Sequence, residues 1–193
     1  MRVVTARCLE NIQVKDLYVT WDEYHRLIEQ LALQIHASGY RFDSLLCLAR
    51  GGLRIGDMIS RIYAMPLAIL AVSSYRAAAG TQQGELTIAE SITTTGDALH
   101  GKVLLVDDLV DSGVTLTQVL AHVKQRYSAV TEVRTAVLWY KAVSQHQPDY
   151  YVQYLPTSPW IHQPSEEYDT LRPHQLTARL RSETTLRYGH QQG

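Results

Sequence analysis

The chain has 193 residues, which is the size of one domain or of one domain with a small addition. Its 18 Lys and Arg residues stand against 19 Asp and Glu residues, a formal net charge of -1, and 46% of the residues are hydrophobic. The chain is therefore too apolar to be disordered, and it lacks the excess of positive charge that would indicate a nucleic-acid partner.

Cysteine usage and hydropathy restrict the cellular compartments in which the protein is expected. Cys8 and Cys47 form no Cys-x-x-Cys pair, so neither a disulfide framework nor a zinc site is predicted. The N-terminal residues contain no continuous apolar region of the kind found in signal peptides. The longest apolar stretch, Met65 to Val72, is far shorter than the roughly 20 residues that span a bilayer. We expect a cytoplasmic protein with no membrane partner.

The first predicted helix begins with a capping box. Thr20 and Glu23 have the spacing at which each side chain can bond to the other residue's backbone N–H. Gly39 is the predicted end of the helix. The side chains expected on its buried face recur with helical spacing: Tyr24, Leu27, Ile28, Leu31 and Ile35.

A strand, a glycine-rich turn, a helix and a second strand follow. The apolar run from Leu45 to Leu48 ends at Arg50-Gly51-Gly52, and Leu67 to Val72 is the second apolar run. This order is that of a βαβ unit, in which the two strands are parallel. The helix between them is predicted to bury one face, made of Ile55, Met58, Ile59 and Ile62.

The same order recurs further along the chain. The strand Val103 to Val106 leads through Asp107 and Asp108 to a turn at Ser112-Gly113, and a strand from Val133 to Tyr140 closes the unit. The helix between has an apolar face of Leu116, Val119, Leu120 and Val123. Strands that are apolar on both faces and alternate with amphipathic helices predict an α/β fold with a mainly parallel sheet flanked by helices.

Two segments stand outside this alternation. Residues 75–97 form a long polar excursion, which in a compact domain is usually functional or disordered. Residues 150–172 are rich in Tyr, Pro and Trp and suggest an appended cap. We therefore predict a core over 18–148, a small hood over the carboxyl edge of the sheet from 149–172 with part of 1–17, and a tail over 173–193.

The junction after Val106 concentrates groups that suit a phosphorylated sugar. Asp107 and Asp108 leave the strand at the sheet edge where open α/β folds bind ligands. Asp111 follows, and the segment 112–115 leads into a helix whose free amides and hydroxyls suit a phosphate. Carboxylates would repel a phosphate unless a hard cation or sugar hydroxyls lie between them. Simple helix capping would account for one Asp here, but it is a poorer explanation for three.

This stretch resembles the signature of the type I phosphoribosyltransferases for 5-phosphoribosyl 1-pyrophosphate (PRPP), and every position is matched. In the signature an apolar strand and two acids precede Asp-Thr/Ser-Gly-x-Thr. The resemblance implies that Asp107 and Asp108 face the ribose hydroxyls and Mg²⁺, and that Asp111 is the general acid/base near N7 of a purine. It implies a loop for the 5′-phosphate made of Asp111, Ser112, Gly113, Val114 and Thr115.

Two further segments resemble parts of the same family. Ala49 to Leu53 is similar to the Ser-Arg-Gly-Gly-Leu pyrophosphate loop of the xanthine–guanine branch, which implies pyrophosphate contacts from Arg50 and Gly51 and a non-proline cis peptide. Ser74 and Tyr75 resemble the start of the mobile loop that closes over the reacting centre. Taken alone, Arg-Gly-Gly also fits an ordinary tight turn.

The expected base pocket combines the end of the last predicted strand of the core with the hood. Lys141 matches the family lysine that donates to the exocyclic oxygen of a 6-oxopurine, and a lysine exposed to solvent is the alternative. Trp160 and Ile161 match the residues that stack on the purine and read its edge, although Trp160 could instead pack within the hood. Glu166 is the implied ligand of a second Mg²⁺, and Arg172 is an implied pyrophosphate contact. His162 and Ser165 depart from the branch, which has Glu and a bulky aromatic residue at these positions.

The resemblance as a whole implies a Mg²⁺-dependent enzyme of purine salvage. It would transfer 5-phosphoribosyl from PRPP to N9 of hypoxanthine, guanine or xanthine and release pyrophosphate, and members of this family are usually homodimers or homotetramers. Two alternatives remain: a regulator that senses PRPP or a nucleotide on the same fold, and a transferase for a different base. The near-neutral charge together with Lys141 and Trp160 argues against the regulator.

Overall fold

The computed structural model describes the backbone of residues 15–76 and 83–188, and the side chains of 15–73 and 86–180. The strands in this part of the chain are β1 Leu17–Tyr18, β2 Ser44–Ala49, β3 Leu67–Arg76, β4 Gln83–Ile88, β5 Thr93–Thr94, β6 Gly101–Val106, β7 Leu109–Val110, β8 Val130–Lys141, β9 Tyr150–Leu155 and β10 Ile161–His162. The helices are α1 Trp21–Ala37, α2 Leu53–Tyr63, α3 Val114–Arg126, α4 Glu167–Thr170 and α5 Pro173–Tyr188.

Eight strands form one mixed, mostly parallel sheet. Strands β3, β2, β6, β8 and β9 lie side by side and run parallel, and β7 runs parallel beside β8 beyond the end of β6. Only β4 and β5, both paired with β3, are antiparallel in this sheet, as far as the chain is described. Trp139 of β8 lies opposite Leu109 on one side and Gln153 on the other, so β8 is an interior strand. The predicted parallel βαβ units and the α/β fold are confirmed.

Helices cover both faces of the sheet, which is why its central strands are apolar throughout. One buried cluster joins β2, β6 and β8 to α1 and α2, through side chains such as Ile28 and Ile55. A second cluster on the opposite face joins the same strands to α3, through Val119 and Val123. Burial on two faces removes the polar alternation of a half-exposed strand, and this is the signal that the sequence displays.

The local predictions for α1 hold, and one for α2 does not. The backbone N–H of Thr20 donates to Oε2 of Glu23 at 2.8 Å and that of Glu23 to Oγ1 of Thr20 at 3.2 Å, so the capping box is formed. Ile62 is wrong as a buried residue, because its side chain is 53% exposed. It lies in the last turn of α2, where Tyr63 contacts the core and donates its hydroxyl to the carbonyl oxygen of Ala32.

The segment after residue 149 differs from a simple cap. Tyr150–Leu155 is a strand of the main sheet, parallel to β8, so only the residues beyond it lie apart from the sheet. There β10 pairs with β1 in a small parallel sheet of its own, which brings the N-terminal segment to the expected hood. The expected tail contains α5. No helix in the described ranges is long and apolar enough to cross a membrane.

Candidate active site

A cavity of about 570 Å³ opens where β2, β6, β7 and β8 end. Because these strands are parallel, their carboxyl ends meet at one edge, and the loops that follow them face each other. The cavity brings together most of the residues that the sequence singled out: Arg50, Gly51, Asp107, Asp108, Asp111, Ser112, Gly113, Thr115, Lys141, Trp160, Ile161 and Glu166.

The predicted phosphate loop turns sharply into α3. Gly113 has φ +82° and is the N-cap of the helix, a conformation that L side chains rarely adopt. A Cβ at this position would lie 2.6 Å from Oγ of Ser144 and 2.8 Å from the backbone N of His146. The backbone N–H of Gln145 donates to the carbonyl oxygen of Ser112 at 3.0 Å. The loop after β8 therefore supports the phosphate loop, a contact that the sequence analysis missed.

The two acids after β6 are held by short-range hydrogen bonds. Oδ1 of Asp107 accepts from the backbone N–H of Asp108 at 2.9 Å, and Oδ1 of Asp108 accepts from that of Leu109 at 2.8 Å. Burial raises the pKa of Asp107, and the charge of Asp108 raises it further. Burial also raises the pKa of Asp108, whereas a hydrogen bond from Nε2 of Gln163 opposes that shift. Neighbouring carboxylates of this kind suit a cation or hydroxyl donors.

The glycine-rich turn after β2 lies directly against these acids. The peptide bond between Ala49 and Arg50 is cis, as the resemblance implies. A Cβ on Gly51 would lie 2.6 Å from Cγ of Asp108, and one on Gly52 would lie 2.5 Å from the carbonyl oxygen of Val106. Because both residues are glycines, the predicted pyrophosphate loop can touch the acid pair.

Lys141 ends β8 and reaches the cavity from the core. Its Nζ lies 3.2 Å from Oδ2 of Asp111, and its side chain is 7% exposed against 47% for Asp111. This burial contradicts the alternative of a lysine in solvent. Lys141, the predicted hydrogen-bond donor to the purine, is therefore paired with Asp111, the first residue of the predicted phosphate loop.

The hood supplies the predicted aromatic and acidic side chains, Trp160 and Glu166, to the cavity. Trp160 is 47% exposed, which makes tight packing within the hood the weaker interpretation. Its Nε1 donates to Oε2 of Glu166 at 3.3 Å. Ile161 is buried and contacts the core cluster. The predicted stacking residue is thus half open to the cavity, with its indole N–H held by Glu166.

Some expected residues do not reach the cavity. Arg172 donates through Nη1 to the carbonyl oxygens of Asp169 at 2.9 Å and Leu171 at 3.2 Å, and Val114 does not line the cavity either. The backbones of Ser74 and Tyr75 belong to β3, but their side chains lie outside the described residues.

Two residues of the site were missed. Gln163 bonds to the carboxylate of Asp108, and Oδ1 of Asp169 lies 3.3 Å from Nη2 of Arg50. Both belong to the segment after β10 and both line the cavity. Gln163 lies in the stretch Trp160 to Pro164 that resembles the family's hood but has no role of its own in that resemblance, and Asp169 is part of no motif, so the sequence offered no signal beyond their position in the expected hood.

The fold and the cavity together define an α/β protein with a pocket of charged and polar side chains at the carboxyl edge of a parallel sheet. The phosphoribosyl transferase domain family matches residues 20–170. The xanthine-guanine phosphoribosyltransferase of Gluconobacter oxydans (strain 621H) is 31% identical over 144 residues, which cover 74% of this chain and 80% of that protein. The chain belongs to the phosphoribosyltransferase family.

Solved structures agree with this assignment. The purine phosphoribosyltransferase from Pyrococcus horikoshii Ot3 superposes with a TM-score of 0.65 at 31% identity, over 82% of this chain and 98% of that one. The xanthine-guanine-hypoxanthine phosphoribosyltransferase of Helicobacter pylori has a TM-score of 0.63 at 24% identity, over 76% and 90%. The second similarity concerns the fold.

Proposed function

We propose that the protein transfers the 5-phosphoribosyl group of PRPP to N9 of a 6-oxopurine, releases pyrophosphate and thereby salvages purine bases. The observation that carries this proposal is the buried Lys141, paired with Asp111 in the same cavity as the phosphate loop. A lysine can only donate hydrogen bonds, so it favours the exocyclic oxygen of a 6-oxopurine over the 6-amino group of adenine.

PRPP would lie across three loops. The amides and hydroxyls of residues 111–115 at the start of α3 receive the 5′-phosphate. Asp107 and Asp108 accept hydrogen bonds from the ribose hydroxyls. Arg50, now paired with the exposed carboxylate of Asp169, and the backbone at Gly51 receive the pyrophosphate. Arg172 could join them only after leaving the two carbonyl oxygens that it now contacts.

The carboxylates suit Mg²⁺ as a partner of PRPP. The described residues contain no cluster of three or more His, Cys, Asp or Glu side chains able to hold a metal ion. Mg²⁺ is commonly bound by one or two carboxylates together with substrate phosphates and water, so such a cluster is not required. Asp107 and Asp108 would hold one ion and Glu166 a second. Bound Mg²⁺ would supply positive charge to the departing pyrophosphate.

The purine would stack on Trp160, with Lys141 at its exocyclic oxygen and the backbone at Ile161 along its edge. As the bond from C1′ to pyrophosphate breaks, its electron pair leaves with the pyrophosphate, and N9 forms the new bond to C1′. Asp111 assists proton movement at the imidazole edge of the base. The remaining contribution is positioning and electrostatic stabilisation of the cationic sugar and the departing anion.

Further parts of the proposal come from the resemblance. Ser74 and Tyr75 would begin a loop that closes over the reacting centre and excludes water. The hood would comprise residues of the 149–172 segment with part of the N-terminal segment. The enzyme would act in the cytoplasm as a homodimer or homotetramer.

A panel of bases tests the function. The protein is incubated with Mg²⁺ and PRPP, and the consumption of hypoxanthine, guanine, xanthine, adenine, uracil and orotate is followed separately. We expect turnover with at least one of the first three bases and none with the last three. Tight PRPP or nucleotide binding without turnover of any base would favour the regulator instead. Turnover confined to adenine, uracil or orotate would identify a transferase for another base.

A further inference from the structure

Residues 16–19, which we call the N-terminal strap, are bonded to the strand that carries the base-binding residues. The backbone N–H of Leu17 donates to the carbonyl oxygen of Trp160 at 2.8 Å, and that of Val19 donates to the carbonyl oxygen of His162 at 3.1 Å. These bonds form the parallel pairing of β1 with β10. The backbone on both sides of Ile161 is thus fixed by the strap.

His162 is the side chain of the hood that the strap contacts. The ring of Tyr18 stacks on the ring of His162 with centroids 4.3 Å apart and an interplanar angle of 14°. Nε2 of His162 lies 3.1 Å from Oδ2 of Asp16. One face and one ring nitrogen of the same histidine are therefore held by the strap.

The other ring nitrogen of His162 faces the site. Nδ1 lies 3.7 Å from Oε2 of Glu166, and the same oxygen accepts the hydrogen bond from Nε1 of Trp160. His162 does not line the catalytic cavity, and neither does any residue of the strap. The chain of contacts runs from Asp16 and Tyr18 through His162 to Glu166 and Trp160, and it ends at the proposed stacking face.

The identity of residue 162 fits this arrangement. A Glu here, as in the xanthine–guanine branch, would place a third carboxylate between those of Asp16 and Glu166, where like charges repel. A histidine has two ring nitrogens and an aromatic face, so it can contact both acids and Tyr18 at once. The departure from the branch thus matches the residues around it.

We propose that the N-terminal strap is a positioning element for the purine base, acting through His162 on Glu166 and Trp160. The inference rests on the proposed function. Holding the half-exposed indole in one orientation before the base arrives reduces the ordering that binding requires. The strap should therefore affect the binding of the base more than the binding of PRPP, whose proposed protein contacts lie on the loops after β2 and β6 apart from the Mg²⁺ proposed at Glu166.

The test compares Tyr18→Ala, His162→Ala and the double variant with the wild-type protein. Loss of a stacked pair and of the contacts of His162 with Asp16 and Glu166 should raise the KM for the base about 3- to 10-fold. The KM for PRPP and the kcat at saturation should stay within about 2-fold, since the variants do not touch the loops after β2 and β6 that would bind PRPP. The double variant should be no worse than His162→Ala, because both substitutions break the same chain of contacts. Tyr18→Phe, which keeps the ring, should restore the wild-type KM.

Tyr154→Ala is the matched control, because Tyr154 is an exposed tyrosine on β9 and not part of the strap. Strap variants that leave the KM for the base unchanged, or raise the KM of both substrates alike, overturn the inference while the proposed function stands. If the wild-type protein binds purines or their nucleotides but transfers to no base, the proposed function fails. The dissociation constants of the purine for the wild-type protein and the strap variants then test the role of the strap by themselves. A wild-type protein that neither binds nor converts a purine overturns both.

Discussion

At the scale of single residues, the cavity contains charged side chains whose burial costs free energy of folding. Asp107 is partly buried beside Asp108, and the ammonium group of Lys141 is buried beside Asp111. Burying a charge without full compensation destabilises a folded protein. Such groups indicate a site that is completed by its ligands, and substitutions at them should separate stability from activity.

The Asp107 carboxyl should make the ligand-free protein less stable as the pH rises. Its pKa in the folded protein lies above the usual value of 3.8, so between these two values the folded state binds more protons than the unfolded state. Stability is then lost as the pH rises through that interval. Asp107→Asn cannot ionise, so it should raise the neutral-pH Tm, on the order of 3 °C, the shift that about 1 kcal/mol makes in a chain of this size.

Thermal unfolding from about pH 4 to about pH 8, without Mg²⁺ or PRPP, measures this effect, because the interval begins near the ordinary pKa of an Asp carboxyl and extends above it. Asp97→Asn, at an exposed position, is the control and should change neither the Tm nor its pH dependence. A lower Tm for Asp107→Asn at neutral pH, with the pH dependence of the wild type, would show that the buried charge is compensated.

Replacing Lys141 by Met should remove the preference of the site for purines with an exocyclic oxygen over purines with an amino group at the same position. The Met side chain fills a similar volume without a donor, and a hydrogen bond from a charged group contributes about 1.5–3 kcal/mol, so kcat/KM for the 6-oxopurine should fall roughly 10- to 150-fold. The dissociation constant of PRPP should change little. Lys102→Met, at an exposed lysine beside Glu132, is the control. An equal loss of PRPP binding would contradict the role of Lys141 in base recognition.

At the scale of elements, the site depends on how closely two strand-to-helix loops approach. The turn after β2 meets the acids after β6 at Gly51, and it meets the backbone of β6 itself at Gly52. A side chain can move aside, whereas the backbone of a central strand cannot move without displacing its neighbours. The two glycines are therefore expected to respond differently to the same substitution.

Gly51→Ala should displace the carboxylate of Asp108 and weaken PRPP binding while the protein stays folded. Gly52→Ala should instead destabilise the fold by about 1–3 kcal/mol or more, the usual range for overpacking. Calorimetric titration with PRPP and Mg²⁺ measures the first effect, and the urea midpoint measures the second. If the two variants behave alike, or if Gly51→Ala binds PRPP as the wild type does, the close contact is not what keeps these positions as glycine.

At the scale of the whole molecule, the α/β core could be predicted and the arrangement of the hood could not. The central strands are buried on both faces and their helices are amphipathic, so local periodicity identifies the elements of the two βαβ units, although not β4, β5 or β7. Tyr150–Leu155 has no such run: it mixes aromatic, apolar and polar residues and lies between Pro148 and Pro156. Its place beside β8 follows from tertiary pairing, which its composition does not indicate.

The same limit applies to the site. Residues 107–115 and 49–53 lie in contiguous motifs, so their clustering could be predicted, and most of them line the same cavity. Gln163 is 55 residues from Asp108, and Asp16 is 146 residues from His162. Contacts across such separations depend on the complete fold, and a single sequence does not reveal them.

The most direct test measures nucleoside 5′-monophosphate and pyrophosphate in the same sample, formed from PRPP, Mg²⁺ and a 6-oxopurine. The wild-type protein should form the two products in equal amounts. Asp111→Asn should reduce kcat about 10²- to 10⁴-fold, the usual contribution of a general acid/base, while the dissociation constant of PRPP changes far less. Pyrophosphate without nucleotide, no product at saturating PRPP with any 6-oxopurine, or full turnover by Asp111→Asn would contradict the account.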